Sequence, residues 1–535
     1  MAPTHGNEEI EGRYKEYAYS PVPASSTSAV YESTTPGKYS AEIGAGSPDY
    51  RTNSVFEKCR VAEMAEKGST LPQYVAAAVA NLCVVATGAM LGWTSPKLGL
   101  LSTTLDDNPL GRLMTPEENS WTGSLVAVGA MVGSFIAGYA AERWGRKTTL
   151  LASVVPFTIG WALIASAKVV AQLYAARLIF GVALSFAFTA VPMYCGEIAE
   201  TSVRGAVGSF LQLFISFGLL YAYAIGPYVS YLVFWIVCAV LPLIFFGCFM
   251  LMPESPYFLL KVGKREEAIK ALATLRSKSP AAVQKEADEM QAAVDEAFRE
   301  EVKLSDLFKV KANCKALIFT CVMAAFQQLS GINIVLFYMD SIFKSAKSSL
   351  PSAIATIIVG SVQVVASGVT PIVVDRLGRK MLLIFSGVGE VLSLGALGIY
   401  LYLQDVQKSD VSSIQFLPVL SLIVFISTYC VGWGPLPWTV MGEMFASNVK
   451  SKASGITVCI CWLFAFIMTK FASNLQEVFG NYMLYWICGV FCFISVVFTV
   501  LVLPETKGKS LNEIQDELNG VKSTENIDLG GSSKH

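Results

Sequence analysis

Glu142-Arg143-Trp144-Gly145-Arg146-Lys147 closes one long apolar run of the chain, and Asp375-Arg376-Leu377-Gly378-Arg379-Lys380 closes another. The two hexapeptides place an acid, an arginine, a glycine and a basic pair at the same positions. Their surroundings repeat as well. Glu197 is followed seven residues on by Arg204, and Glu443 seven residues on by Lys450. Pro253-Glu254-Ser255 is matched by Pro504-Glu505-Thr506. Three matched motifs in the same order indicate two related halves, the arrangement of a carrier that rocks around a central site.

Apolar runs surround these motifs, near 73–95, 120–141, 149–167, 171–194, 206–226 and 230–252, and again near 315–338, 351–374, 381–403, 415–440, 453–474 and 482–503. Each approaches the ~20 residues a helix needs to cross a bilayer. The expected fold is an all-α membrane protein of twelve transmembrane helices in two pseudo-symmetric six-helix bundles, 71–256 and 313–506. Between them, 257–312 is charged, and Lys264–Lys278 and Ala281–Glu301 show the polar/apolar period of surface helices. Residues 1–70 are polar, lack the apolar core of a signal peptide and read as a disordered arm; 507–535 read as a tail. Lys and Arg concentrate in the loops holding Arg143, Arg146, Lys147, Arg204, Arg376, Arg379, Lys380, Lys450 and Lys452. The opposite loops have fewer, so both tails and the linker are expected in the cytoplasm.

Composition agrees. The 535 residues are 53% hydrophobic and 15% charged, against roughly 25% charged in soluble domains, and the mean hydropathy is +0.51. Lipid is the expected solvent. A net charge of −1 argues against nucleic acid as a partner. The two histidines, His5 and His535, lie in the polar tails, which removes histidine catalysis and histidine metal sites. The twelve cysteines show no ligand spacing and read as small buried hydrophobes, so no metal, cofactor or enzymatic activity is expected.

The repeated charges suggest a cytoplasmic gate. Glu142, Glu197, Glu254, Asp375, Glu443 and Glu505 stand beside Arg143, Arg146, Arg204, Arg376, Arg379 and Lys450. Pairs between helices would hold the inner ends together in one state and part in the other. Each is worth ~1 kcal/mol, and several together bias a two-state equilibrium. Positive-inside anchoring alone would explain the basic residues but not the matched acids.

These residues resemble the sugar porter family of the major facilitator superfamily. The likeness covers about 73–515 and adds Arg177 and Gly181, Pro253-Glu254-Ser255-Pro256, Gln327-Gln328-Leu329-Ser330-Gly331-Ile332-Asn333, Gly434-Pro435-Leu436-Pro437-Trp438 and Pro504-Glu505-Thr506-Lys507-Gly508. Gly92-Trp93-Thr94-Ser95-Pro96 and Gly432-Trp433-Gly434 are most similar to insect facilitated trehalose transporters and related glucose facilitators. The resemblance implies a plasma-membrane sugar carrier working by alternating access as a monomer.

A sugar offers hydroxyls that donate and accept, and a carboxamide does both without charge. Gln327, Gln328 and Asn333 cluster on one predicted helix, and Gln212 and Gln363 bring amides from two others. The resemblance carries sugar contact onto Gln212, Gln327, Gln328 and Asn333. Trp438 offers an apolar plate beside Pro435 and Pro437, which weaken their helix. Phe337 and Tyr338 resemble an outer aromatic lid. The sequence departs from hexose facilitators at Gln363, Cys430, Cys461 and Ala465, leaving fewer polar contacts. Residues 72–96 hold no acid, where proton-coupled relatives carry one, so facilitated diffusion is expected. Glu390 inside the ninth run remains unassigned, and Lys470 is expected to snorkel. The alternatives are a proton-coupled symporter and a non-transporting sugar sensor.

Overall fold

The computed structural model describes residues 68–299, 306–445, 447–509 and 511–519. The N-terminal arm and the end of the tail lie outside these residues, as do the side chains of Asp375 and Lys450. Among the described residues every regular element is helical. Twelve helices are long and apolar enough to cross a membrane: α1 (Leu71–Thr103), α2 (Pro116–Arg143), α3 (Arg146–Ala165), α4 (Val170–Ile198), α5 (Arg204–Tyr228), α6 (Tyr231–Met250), α7 (Lys311–Ser345), α8 (Ser352–Val374), α9 (Arg379–Asp405), α10 (Ser412–Met444), α11 (Lys452–Phe479) and α12 (Asn481–Leu501). They coincide with the twelve apolar runs.

Among the interrupted spans, α7 and α10 are broken by residues whose backbone leaves the helical region. In α7, Ser330 and Gly331 part Lys311–Leu329 from Ile332–Ser345, and Gly331 takes φ +83°. A β-carbon there would also stand 2.9 Å from the Cys488 sulfur, so glycine is required twice over. In α10, Gly432-Trp433-Gly434-Pro435 separates Leu417–Val431 from Leu436–Met444. Pro435 and Pro437 lack the N–H groups that would continue the ladder. Each break leaves backbone carbonyls without helical partners deep in the bundle, where something polar must meet them.

The linker forms Pro256–Lys261, Arg265–Arg276 and Gln284–Arg299, close to the expected surface helices. Buried Arg276 fixes them to α4. Its guanidinium donates to Glu286 at 2.7 Å and to the Ile198 carbonyl at 2.8 Å, and lies 3.1 Å from Glu200. A further helix, Leu511–Asn519, was not foreseen. It buries Ile514 and Leu518, and the Leu518 carbonyl accepts from Lys315 of α7 at 2.8 Å. The halves meet through α1 with α7, α2 with α11 and α5 with α8.

Candidate functional site

The α7 amides form a directed chain. Asn333 Nδ2 donates to Gln328 Oε1 at 2.6 Å. Gln328 Nε2 donates to Gln327 Oε1 at 3.4 Å and to Cys461 Sγ of α11 at 3.1 Å. Gln327 Nε2 donates to the carbonyls of Trp433 and Gly434, each at 2.8 Å. Those are the carbonyls freed by the α10 break, and they fix which way the Gln327 amide faces. Ser330 returns its hydroxyl to the Gln327 carbonyl at 2.7 Å, which covers part of the α7 break.

A second polar group meets α10 from the other side. Ser216 of α5 and Ser367 of α8 share a 2.9 Å hydrogen bond between the halves. The Cys430 thiol of α10 lies near Ser367 and Gln212, and Thr370 donates to the Cys430 carbonyl at 2.9 Å. Gln363 lies one turn before Ser367, on the same face of α8. It is buried, and its Oε1 finds no partner among the described residues. Buried polar atoms are nearly always paired; the amide oxygens of Asn81, Asn119 and Gln404 share this state. Trp438 is half-buried and makes no hydrogen bond or ring contact among the described residues. The indole whose backbone meets the amides is Trp433. Cys430 and Cys461 looked like lost polar contacts in the sequence. The Cys461 thiol instead holds the Gln328 amide, and the Cys430 thiol lies near Gln212; their place near these amides was the missed signal.

At the end of the bundle away from the linker, the halves are sealed. Ser95 Oγ of α1 accepts from the Asp340 N–H of α7 at 3.1 Å. The Tyr223 hydroxyl donates to the Leu336 carbonyl at 2.7 Å. Phe337 is buried with the Arg177 guanidinium 5.6 Å from its ring, and the Tyr338 hydroxyl presses on Gly123 of α2. Lys470 does more than snorkel. It is buried, pairs with Glu117 of α2 at 2.9 Å and stands 4.8 Å from the Trp121 ring centre, and its carbonyl accepts from Ser120 at 2.9 Å. An acid on the other half takes the place of lipid headgroups.

At the linker end the repeated charges gather into two clusters. Arg146 bonds Glu197 at 2.8 Å, and Glu254 Oε1 accepts from the Arg146 and Lys147 N–H groups at 3.1 and 3.0 Å. Ser255 donates to the other oxygen of Glu197. Arg379 bonds Glu443 at 2.8 Å, and Glu505 accepts from the Arg379 and Lys380 N–H groups at 3.1 and 3.0 Å. Thr506 donates to Glu443 at 2.6 Å. Gly145 and Gly378 take φ +96° and +88° so that each acid can sit against the turn, which is why the hexapeptides share a glycine. Burial pushes the Glu254 carboxyl up, and its backbone donors offset this only in part. Burial acts the same way at Glu505, but four backbone N–H groups outweigh it and hold the carboxyl below its usual range. The Arg146–Glu197 and Arg379–Glu443 pairs each join helices of one half. Glu142, Arg143, Arg204 and Arg376 are exposed beside them.

The arrangement offers uncharged donors and acceptors between two halves, sealed at one end. Among the described residues no group of three or more His, Cys, Asp or Glu side chains is placed to hold a metal ion. A family model described as Sugar (and other) transporter matches residues 80–518. The facilitated trehalose transporter Tret1 of Bombyx mori is 34% identical over 456 residues, 85% of this chain and 88% of that protein. Tret1 of Polypedilum vanderplanki is 34% identical over 460 residues, 84% and 90% of the two chains. Among solved structures, the MFS proton:xylose symporter XylE bound to 6-bromo-6-deoxy-D-glucose is 25% identical, with a TM-score of 0.67 over 83% of this chain and 99% of that one. XylE from E. coli in a partially occluded inward open conformation is 22% identical, with a TM-score of 0.68 over 82% and 99%.

Proposed function

The chain belongs to the sugar (and other) transporter family of the major facilitator superfamily, and from that premise we propose that it is a uniporter for trehalose or a glucose-type hexose. It is a multi-pass membrane protein of twelve spanning helices. The observation that carries the proposal is the convergence of uncharged amides on the α10 break. Gln327, Gln328 and Asn333 arrive from α7 and Gln212 from α5, with an unpaired Gln363 acceptor on α8. These groups match a polyhydroxylated solute, and the half-buried Trp438 ring offers an apolar surface of the kind that suits a sugar face. The relatives named for trehalose support the sugar class.

Uniport rests on α1. Thr94, where a coupling acid would stand, spends its hydroxyl on the Leu91 carbonyl at 2.9 Å. For symport, a structural candidate is Glu390, buried within α9 and, among the described residues, not paired with a cation. Counterflow of labelled trehalose and glucose in proteoliposomes, with and without a pH gradient, separates the readings. Saturable flux indifferent to the gradient is expected. No saturable flux of either sugar removes the substrate, flux that collapses with the gradient replaces uniport by symport, and binding without flux makes the protein a sensor.

The two linker-end clusters act as the cytoplasmic gate in this reading. They brace α2, α3, α4 and α6 in one half and α8, α9, α10 and α12 in the other, leaving Arg143, Arg204 and Arg376 at the faces that close. This orientation puts both termini in the cytoplasm of a cell whose plasma membrane holds the carrier.

A further inference from the structure

Glu390 stands apart from both the amides and the gate clusters. It is 1% exposed in α9, and among the described residues no cation pairs with it. A carboxyl at membrane depth without a cation is costly enough to need a reason. Its surroundings give one. Ser386, one turn before it on the same face, donates its hydroxyl to Glu390 Oε1 at 2.9 Å. The Cys492 thiol of α12 donates to Oε2 at 3.4 Å. Ser386 Oγ in turn accepts from the Trp433 N–H at 3.1 Å. The carbonyl of that same Trp433, with that of Gly434, holds the Gln327 amide.

The serine hydroxyl has a single hydrogen. Committed to Glu390, it leaves a lone pair facing Trp433. With Glu390 gone, serine in a helix turns that hydrogen back to the carbonyl four residues earlier, here Leu382. The lone pair that meets the Trp433 N–H is then re-aimed rather than fixed by Glu390, in a segment that has no ladder of its own. The contact is tight: a β-carbon on Gly432 would come 2.3 Å from Ser386 Cβ and 2.7 Å from the Leu382 carbonyl oxygen. Small rotations of Ser386 therefore move the α10 break.

We propose that Glu390 is a positioning residue for sugar recognition: through Ser386 it sets the Trp433–Gly434 carbonyls that orient the Gln327 amide, without itself touching the sugar. The inference rests on the sugar-transport reading. It also explains how a carboxyl that does not contact the α7 amides serves them.

Zero-trans uptake of labelled trehalose and glucose into proteoliposomes tests it. Glu390→Met keeps the length and removes the acceptor, while Glu390→Gln keeps an acceptor. Glu390→Met and Ser386→Ala are each expected to raise KM about fivefold, with Vmax per reconstituted carrier held within about twofold. Glu390→Gln should restore KM, and the double variant Ser386→Ala/Glu390→Met should be no worse than either single one, because both cut the same chain. Should Glu390→Met fail to fold, Ser386→Ala decides alone. Unchanged KM in the variants, additive effects, or no rescue by glutamine overturns the inference while leaving the transport reading intact. Absence of saturable flux in the unaltered protein overturns that reading and the inference with it.

Discussion

Replacing Gln327 with alanine removes more than one contact. It strips the Trp433 and Gly434 carbonyls of their donor and deprives Gln328 of an acceptor. A buried polar group left unpaired costs about 1–3 kcal/mol, so Gln327→Ala should raise KM on the order of tenfold or more at normal surface expression. Asn333→Ala removes only a donor to Gln328 and should cost less unless Asn333 itself meets the sugar. Uptake kinetics of the two variants give the order, and full activity in both would place the solute elsewhere. The amides were legible in the sequence because uncharged polar residues in apolar runs have few reasons to be there. Their partners were not. Cys461 and Cys430 read as small hydrophobes, and only the fold brings a thiol to an amide more than a hundred residues away. Backbone carbonyls, which carry no sequence signal at all, complete the chain.

At the scale of the helix, the breaks in α7 and α10 matter more than the other ten spans. Apolar runs announce a span by length alone, so all twelve could be placed. Prolines flagged the α10 interruption. The α7 interruption rests on a single glycine and could not be told from a tolerated one. Gly331→Ala tests it. A side chain at φ +83° that also crowds Cys488 should cost about 1–2 kcal/mol. A melting temperature lower by a few degrees in detergent and a reduced Vmax are expected; an unaltered carrier would show that α7 tolerates a straighter path. The terminal helix Leu511–Asn519 went unread because nine residues with two buried apolar side chains give too short a period to recognise.

Across the whole molecule the two ends are built differently. The end away from the linker has links between halves, with Lys470 and Glu117 among them, whereas at the linker end the Arg146–Glu197 and Arg379–Glu443 pairs each lie inside one half. Loss of one partly exposed pair is worth about 1 kcal/mol, or roughly fivefold in population. Glu117→Gln should therefore favour the outward-open form and raise labelling of a cysteine placed at Ser95 by an impermeant maleimide about fivefold. Glu197→Gln and Glu443→Gln, which loosen the proposed gate, should lower it. Labelling indifferent to all three substitutions would remove both seals from the cycle. The charge repeat was readable because it recurs in linear order. Which pairs stay within a half and which cross it is a matter of three-dimensional docking, and local spacing is silent on that.

The two surface appendages are fastened by buried or partly buried bonds to helices of different halves. Arg276 rivets the linker helices to α4, while Lys315 fastens Leu511–Asn519 to α7. A donor dye on Arg265–Arg276 and an acceptor dye on the terminal helix would thus ride opposite blocks of a moving machine. Their energy transfer would report each turnover optically, with no radiolabelled solute.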